Sequence, residues 1–269
     1  MRIVIKLGTS TLTHRTGQLN IRRVEELCKV LSDLKNEGHE MVVVSSGAIA
    51  MGVGKLSLRE RPKDIPSKQA AAAVGQCELM YVYDKLFSEY NHVVAQILIT
   101  GEDIENPDRA KNFHNTLFRL LEWGTIPVIN ENDTVSTVEC GIGDNDTLGA
   151  IVARSIEADL LVLLSDIDGL YTADPRHDPT ARLIPVVEEI TPAMLESANG
   201  AGTALGTGGM QTKLSAARIA TGAGVEMVIA NGERPRELYD IVAGKPIGTR
   251  FLAGKKETCP AAGQKGGAV

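Results

Sequence analysis

Six short, almost unbroken apolar runs punctuate this chain, and they restrict its fold more than any other feature. They fall at residues 3–7, 41–44, 93–99, 126–129, 160–164 and 225–230. None shows the alternation of a strand with one wet face. Runs of this kind are typical of strands covered on both sides, as in a parallel sheet. Segments of helical period lie between them. Ile21, Val24, Leu27, Leu31 and Leu34 recur at intervals of three and four, with Asn20 placed as an N-cap and Gly38 as a stop. Comparable periods cover 68–89, 109–123, 147–158 and 211–222. The alternation predicts an α/β protein, a three-layer α/β/α sandwich around a mostly parallel central sheet with right-handed crossovers.

A chain of 269 residues makes one large domain or two small ones. No repeat or low-complexity linker divides the body, so a single domain is expected over 1–252. From 253 to 269, nine of 17 residues are Gly, Ala or Pro, which predicts a flexible C-terminal tail. Lys and Arg number 28 against 34 Asp and Glu, for a net charge of −6. With no basic stripe, this balance argues against a nucleic-acid partner, because phosphate binding needs clustered Lys and Arg. No apolar run approaches the ~20 residues of a membrane span, so no membrane partner is expected either. Cys28, Cys77, Cys140 and Cys259 form no C-x-x-C pair, and the five histidines are scattered, so no metal ligand set is expected. Met1-Arg2 runs directly into the first apolar run without a leader, and a cytoplasmic protein with reduced thiols is the expectation.

In open α/β sheets, ligands bind beyond the carboxyl ends of the strands. The residues there are Lys6-Leu7-Gly8-Thr9-Ser10, Ser45-Ser46-Gly47-Ala48, Asn130-Glu131-Asn132-Asp133 and Ser165-Asp166. Four strand ends with small, Gly-rich or carboxylate and amide turns predict a cleft. Ser45 to Ala48, leading into a helix, would offer backbone N–H groups to an anion, or serve as a plain N-cap with a packing glycine. Lys6 stands at the end of a strand buried on both faces, where a lysine needs a partner, and a ligand phosphate would suit. Gly206 to Lys213 reads GTGGMQTK, which is not a Walker A loop, yet its glycines would let backbone approach an anion as Lys213 enters the next helix. Gly143-Asp144-Asn145-Asp146 puts two carboxylates and an amide before a helix; a turn with an N-cap would read the same way.

Taken together, KLGTS (6–10), VSSGAIAMG (44–52), AAVGQ (72–76), INENDTV (129–135), GDNDTLGA (143–150), LLSDIDGLYTADP (163–175) and GTGGMQTKLSAA (206–217) resemble the amino acid kinase family. INENDTV and GDNDTL are similar to the branch that phosphorylates glutamate. A sheet-ending GTRF (248–251) also fits. The resemblance implies transfer of the γ-phosphoryl group of ATP, with Mg2+, to the γ-carboxylate of L-glutamate. The product, L-glutamyl 5-phosphate, would be the first intermediate of proline biosynthesis. By position, Lys6 and Lys213 would stabilise the transferring group and Asp146 would hold both lysines. Ser46, Gly47, Asp133, Asp144 and Asn145 would bind the acceptor. Lys6, Gly8, Ser165, Asp166, Thr207, Gly208, Gly209, Met210, Gln211, Thr212 and Lys213 would bind the nucleotide. The resemblance also implies a homo-oligomer and feedback inhibition by proline. Many members continue into an RNA-binding PUA domain, which is not expected here.

Two readings compete with this one. Another kinase of the same fold would act on acetylglutamate, aspartate, carbamate or a nucleoside monophosphate. The last should show extra arginines at the acceptor turns, which carry Asp133, Asp144 and Asn145 instead. A non-catalytic ligand sensor on this scaffold would need neither Lys6 nor Lys213.

Overall fold

The computed structural model describes residues 1–14, 16–136, 142–175, 177–197 and 209–254. Each apolar run is a strand: β1 (Arg2–Leu7), β2 (Glu40–Ser45), β3 (Val94–Ile99), β4 (Ile126–Glu131), β5 (Leu160–Ser165) and, after the short β6 (Val186–Val187), β7 (Glu226–Asn231). A last strand, β8 (Thr249–Phe251), lies within the GTRF segment. The helices in chain order are α1 (Thr9–Leu12), α2 (Ile21–Asn36), α3 (Ala48–Lys55), α4 (Ile65–Ser88), α5 (Gly101–Glu105) and α6 (Pro107–Glu122). They continue with α7 (Asn145–Ser155), α8 (Pro192–Ser197), α9 (Met210–Gly222) and α10 (Glu237–Val242).

The eight strands form one sheet in the order β3-β4-β2-β1-β5-β7-β8-β6. Only the β7–β8 pair is antiparallel. β1 is central: Ile3 pairs with Met41 on one side and with Leu160 on the other. Successive residues of β1 serve opposite faces, which explains why the run lacks polar alternation. Ile3, Ile5 and Leu7 join Leu27, Leu31, Tyr83 and Phe87 of α2 and α4. Val4 joins Leu117, Leu148, Val152 and Leu214 of α6, α7 and α9. The three-layer α/β/α sandwich with a mostly parallel sheet is therefore the fold, as the periodicity predicts.

Helix boundaries shift where capping side chains set them. α4 starts at Ile65 rather than at 68, because the Asp64 carboxylate accepts from the Ser67 N–H with proline in the first turn. Asn106 begins α6 and Asp144 begins α7 in the same way. Asn20 caps α2 as expected, and Gly38, with φ +97°, follows its end. After β5, an isolated antiparallel bridge joins Tyr171 to Leu183. Beyond Gly254 the expected tail lies outside the described residues. Among the described residues, no helix is long and apolar enough to cross a membrane.

Candidate active site

The chain leaves β1 toward β2 on one side and later crosses from β4 to β5 on the other, so the strand order switches at β1 and a crevice opens at its carboxyl end. Lys6 points into it. The residue is 8% exposed, and its ammonium lies 2.6 Å from Oδ1 of Asp146, itself 1% exposed. Lys213, 4% exposed in the first turn of α9, reaches the other oxygen of Asp146 at 3.1 Å. Thr212 Oγ1 donates to the same oxygen at 2.9 Å and to Gly209 O at 2.8 Å. Burial alone would push the Asp146 carboxyl upward; Lys6 and Lys213 outweigh it and hold it down at about 2. Among the described residues, two buried ammonium groups thus close on one carboxylate.

The turns around this centre are stitched together by main-chain bonds. Gly8 N–H donates to Leu164 O at 3.2 Å, Ser46 N–H to Leu7 O at 3.1 Å, and Gly232 N–H to Ser165 O at 2.7 Å. Gly47 adopts φ +95°, a conformation that suits glycine, and starts α3 beside Ser46.

On the β2–β4 side, Asn145 is the first residue of α7. Its Nδ2 donates to Ser45 O at 2.9 Å, Ser46 Oγ at 2.8 Å and Asn130 Oδ1 at 3.1 Å. Asp144 is the N-cap, accepting from Thr147 N–H and Thr147 Oγ1, each at 2.8 Å. Asp144 caps the helix, as a turn with an N-cap would, and the segment also brings Asn145 against Ser46. Asp133 joins none of these bonds among the described residues. Burial, with the nearby Glu131 charge, raises its pKa to about 6 against the opposing pull of Arg61.

On the β5–β7 side, Ser165 Oγ donates to Asp166 Oδ1 at 3.0 Å. Gly209, Met210, Gln211 and Thr212 form the start of α9, while Thr207 and Gly208 lie outside the described residues. Sequence reasoning missed a cluster beside them. Asp168 accepts from Asn231 Nδ2 at 3.0 Å, Arg234 Nη2 at 2.6 Å and Tyr171 Oη at 3.3 Å, so it pins the turns after β5 and β7 to each other. Asn130, Glu131 and Gln76 were also given no role. Glu131 Oε1 accepts from Ser136 Oγ at 2.7 Å and Ile142 N–H at 3.1 Å, tying the residues after β4 to those before α7. Asn130 stands in a strand-end turn already singled out, and that position was the available signal; Asp168 lies two residues past the turn at Ser165-Asp166.

A buried excess of ammonium groups between a Gly-rich turn and a helix start, at the carboxyl edge of a parallel sheet, is suited to phosphoryl transfer. The fold and this site define a phosphotransferase of the kinase class. Residues 1–231 match the amino acid kinase family, and the chain belongs to that family. It is 53% identical to a glutamate 5-kinase of Clostridium perfringens over 260 residues, which is 95% of this chain and 97% of that one. It is 54% identical to a glutamate 5-kinase of Caldanaerobacter subterraneus, covering 94% of this chain and 68% of that longer relative. Among solved structures, a UMP kinase from Bacillus anthracis superposes with a TM-score of 0.65 at 17% identity, covering 94% of this chain and 96% of that one. At that identity the likeness bears on the fold alone.

Proposed function

We propose that the cleft transfers the γ-phosphoryl group of ATP to the γ-carboxylate of L-glutamate, giving ADP and L-glutamyl 5-phosphate for proline biosynthesis in the cytoplasm. One observation carries the phosphoryl-transfer half: Lys6 and Lys213 share Asp146 in a nearly dry site. The acceptor half is supported by relatives named glutamate 5-kinase that are half identical over almost the whole chain.

In this reading a carboxylate oxygen of glutamate attacks the γ-phosphorus as the bond to the β-phosphate oxygen breaks. The attacking group is already an anion, so no side chain needs to remove a proton. Lys6 and Lys213 neutralise charge on the transferring oxygens, and Asp146 holds the two ammonium groups at fixed separation. Ser165, Asp166 and the segment from Thr207 through Lys213 hold the nucleotide, with the N-terminal end of α9 set toward phosphate. Ser46, Gly47, Asp133, Asp144 and Asn145 line the acceptor side, where carboxylate and amide oxygens suit an α-ammonium group. Among the described residues, no group of three His, Cys, Asp or Glu side chains is placed to hold a metal ion. Mg2+ would enter on the nucleotide phosphates, as part of the substrate.

Proline shares the α-carboxylate and ammonium of glutamate, so it competes at the acceptor side, and the working enzyme is a homo-oligomer. A coupled ADP-release assay across L-glutamate, N-acetylglutamate, aspartate, carbamate and UMP tests the reading. Hydroxylamine trapping of the acyl phosphate identifies the product. Turnover that prefers any other acceptor overturns the assignment. Inhibition by proline that rising glutamate does not relieve overturns the overlap of the two sites.

A further inference from the structure

AAVGQ (72–76) resembles the family yet has no part in the chemistry above. It delivers a buried amide to the acceptor side. Gln76 lies on α4 and is 8% exposed. Its Oε1 accepts from Asn130 Nδ2 at 2.9 Å, and its Nε2 donates to Gln96 Oε1 at 3.4 Å. Asn130 Oδ1 in turn accepts from Asn145 Nδ2 at 3.1 Å and from the Glu131 N–H at 2.9 Å. Gln96, Gln76, Asn130 and Asn145 therefore form one chain of side-chain amides running from β3 and α4 to the start of α7.

Such a chain has two possible polarities, because every amide can turn over. Two main-chain groups choose between them. The Ser45 carbonyl can only accept, so the Asn145 atom facing it at 2.9 Å is Nδ2. The Glu131 N–H can only donate, so the Asn130 atom facing it is Oδ1. Asn130 then has only its Nδ2 left for α4, and Gln76 must meet it with an oxygen. At the other end, Nδ2 of Asn145 is committed to Ser45 O, Ser46 Oγ and Asn130 Oδ1. The carbonyl Oδ1 is the remaining polar group of that amide, and a carbonyl oxygen accepts from an ammonium.

We propose that Gln76 is a positioning residue for acceptor recognition: through Asn130 it holds Asn145 with its carbonyl oxygen presented to the α-ammonium of an amino-acid acceptor. The proposal rests on the reading of the site as a glutamate kinase. Gln76 touches neither substrate. Its contribution is the acceptor oxygen for Asn130 Nδ2; without it that buried donor lacks a partner, and Asn130 is anchored at its Oδ1 end alone while it holds Asn145.

The test compares L-glutamate with glutarate, which has the same chain and both carboxylates but no α-ammonium, used as acceptor or as competitive inhibitor. In Gln76→Met the shape is kept and the amide removed. The KM for glutamate should rise about tenfold, the cost of one unmet buried hydrogen bond. The KM for ATP, the kcat and the affinity for glutarate should stay unchanged, so the preference for glutamate collapses. In Gln76→Glu an oxygen still meets Asn130 Nδ2, Gln96 can turn its own Nε2 toward the carboxylate, and the preference should persist. An unchanged preference in Gln76→Met, or equal losses with glutamate and glutarate, overturns the proposal. If Gln76→Met does not fold, Gln76→Glu decides alone, and a lost preference there overturns it. The unaltered enzyme is assayed alongside: no turnover of glutamate there sinks the functional reading and this one with it. Normal turnover beside an unaffected variant sinks the relay alone.

Discussion

Asp146 is shared by two cations, and removing different members of the trio should have opposite effects on stability and activity. Lys6→Ala or Lys213→Ala leaves one buried ion pair, which is neutral, so the fold should survive. Turnover should fall by ~10²–10³, the usual cost of a preorganised electrostatic contact. Asp146→Ala instead leaves two buried ammonium groups facing each other. Loss of one partner from a buried charge cluster costs about 3–5 kcal/mol, so this variant should melt well below the lysine variants. Calorimetry beside steady-state kinetics checks both, and lysine variants with near-normal turnover would remove these residues from the chemistry.

Asp133 offers a second test at the same scale. Its pKa of about 6 means that it is mostly ionised at neutral pH and becomes neutral below about 6. As a partner for an α-ammonium group it should make the KM for glutamate rise as pH falls through that value, while the KM for ATP stays flat. The stability sign is the reverse. A carboxyl whose folded pKa is raised binds more protons folded than unfolded, so it subtracts stability as pH rises from its ordinary value toward 6. Asp133→Asn should therefore raise the melting temperature at pH 7 while it weakens glutamate and removes the pH dependence. A pH-independent KM in the unaltered enzyme would detach Asp133 from the acceptor.

At the scale of elements, the α3–α4 contact lies beside the acceptor side proposed above. A Cβ at Gly75 would lie 1.7 Å from Ala48 O, and one at Gly52 would lie 1.8 Å from Ala71 O, so the two backbones touch. Gly75→Ala forces the helices apart next to Gln76 and at the start of α3. It should destabilise by roughly 1–3 kcal/mol, as overpacking does, and raise the KM for glutamate more than that for ATP. Gly222→Ala, at the end of α9, meets nothing within 4 Å and should be neutral or slightly stabilising. Equal melting temperatures for the two variants would show that the contact is slack.

The same elements show what could be read in advance. Six strands were legible because burial on both faces leaves no polar alternation to confuse them. β6 has two residues, one of them exposed, too short to register as a run. Four strand-end turns stood out because Lys, Ser, Asn and Asp are conspicuous against an apolar run. Gln76 did not, since a glutamine inside a helix looks like any surface residue until Asn130 is placed against it. Asp168 was likewise hidden, because its partners Asn231 and Arg234 are more than sixty residues away in sequence.

For the whole molecule, β8 and the Gly254 N–H bond to Thr221 O complete the described sheet and its cover. Ending the chain after Gly254 should leave specific activity and sedimentation unchanged, and an inactive or dissociated product would assign the last residues a role in the site or the assembly. The central place of β1 also has a consequence for synthesis. β1 leaves the ribosome before the other described strands, and β2 can join it early, at the register of Ile3 with Met41. Its other edge must wait for Leu160, an interval on the order of ten seconds at roughly 5–20 residues per second. Until then a strand with Ile, Val or Leu at four of its six positions keeps one row of N–H and C=O groups unpaired, open to any neighbouring nascent chain. The strand that holds Lys6 is thus made before the other described strands but closed on its second edge only by β5, so overproduction in fast-translating cells should favour aggregation, and slower translation should relieve it.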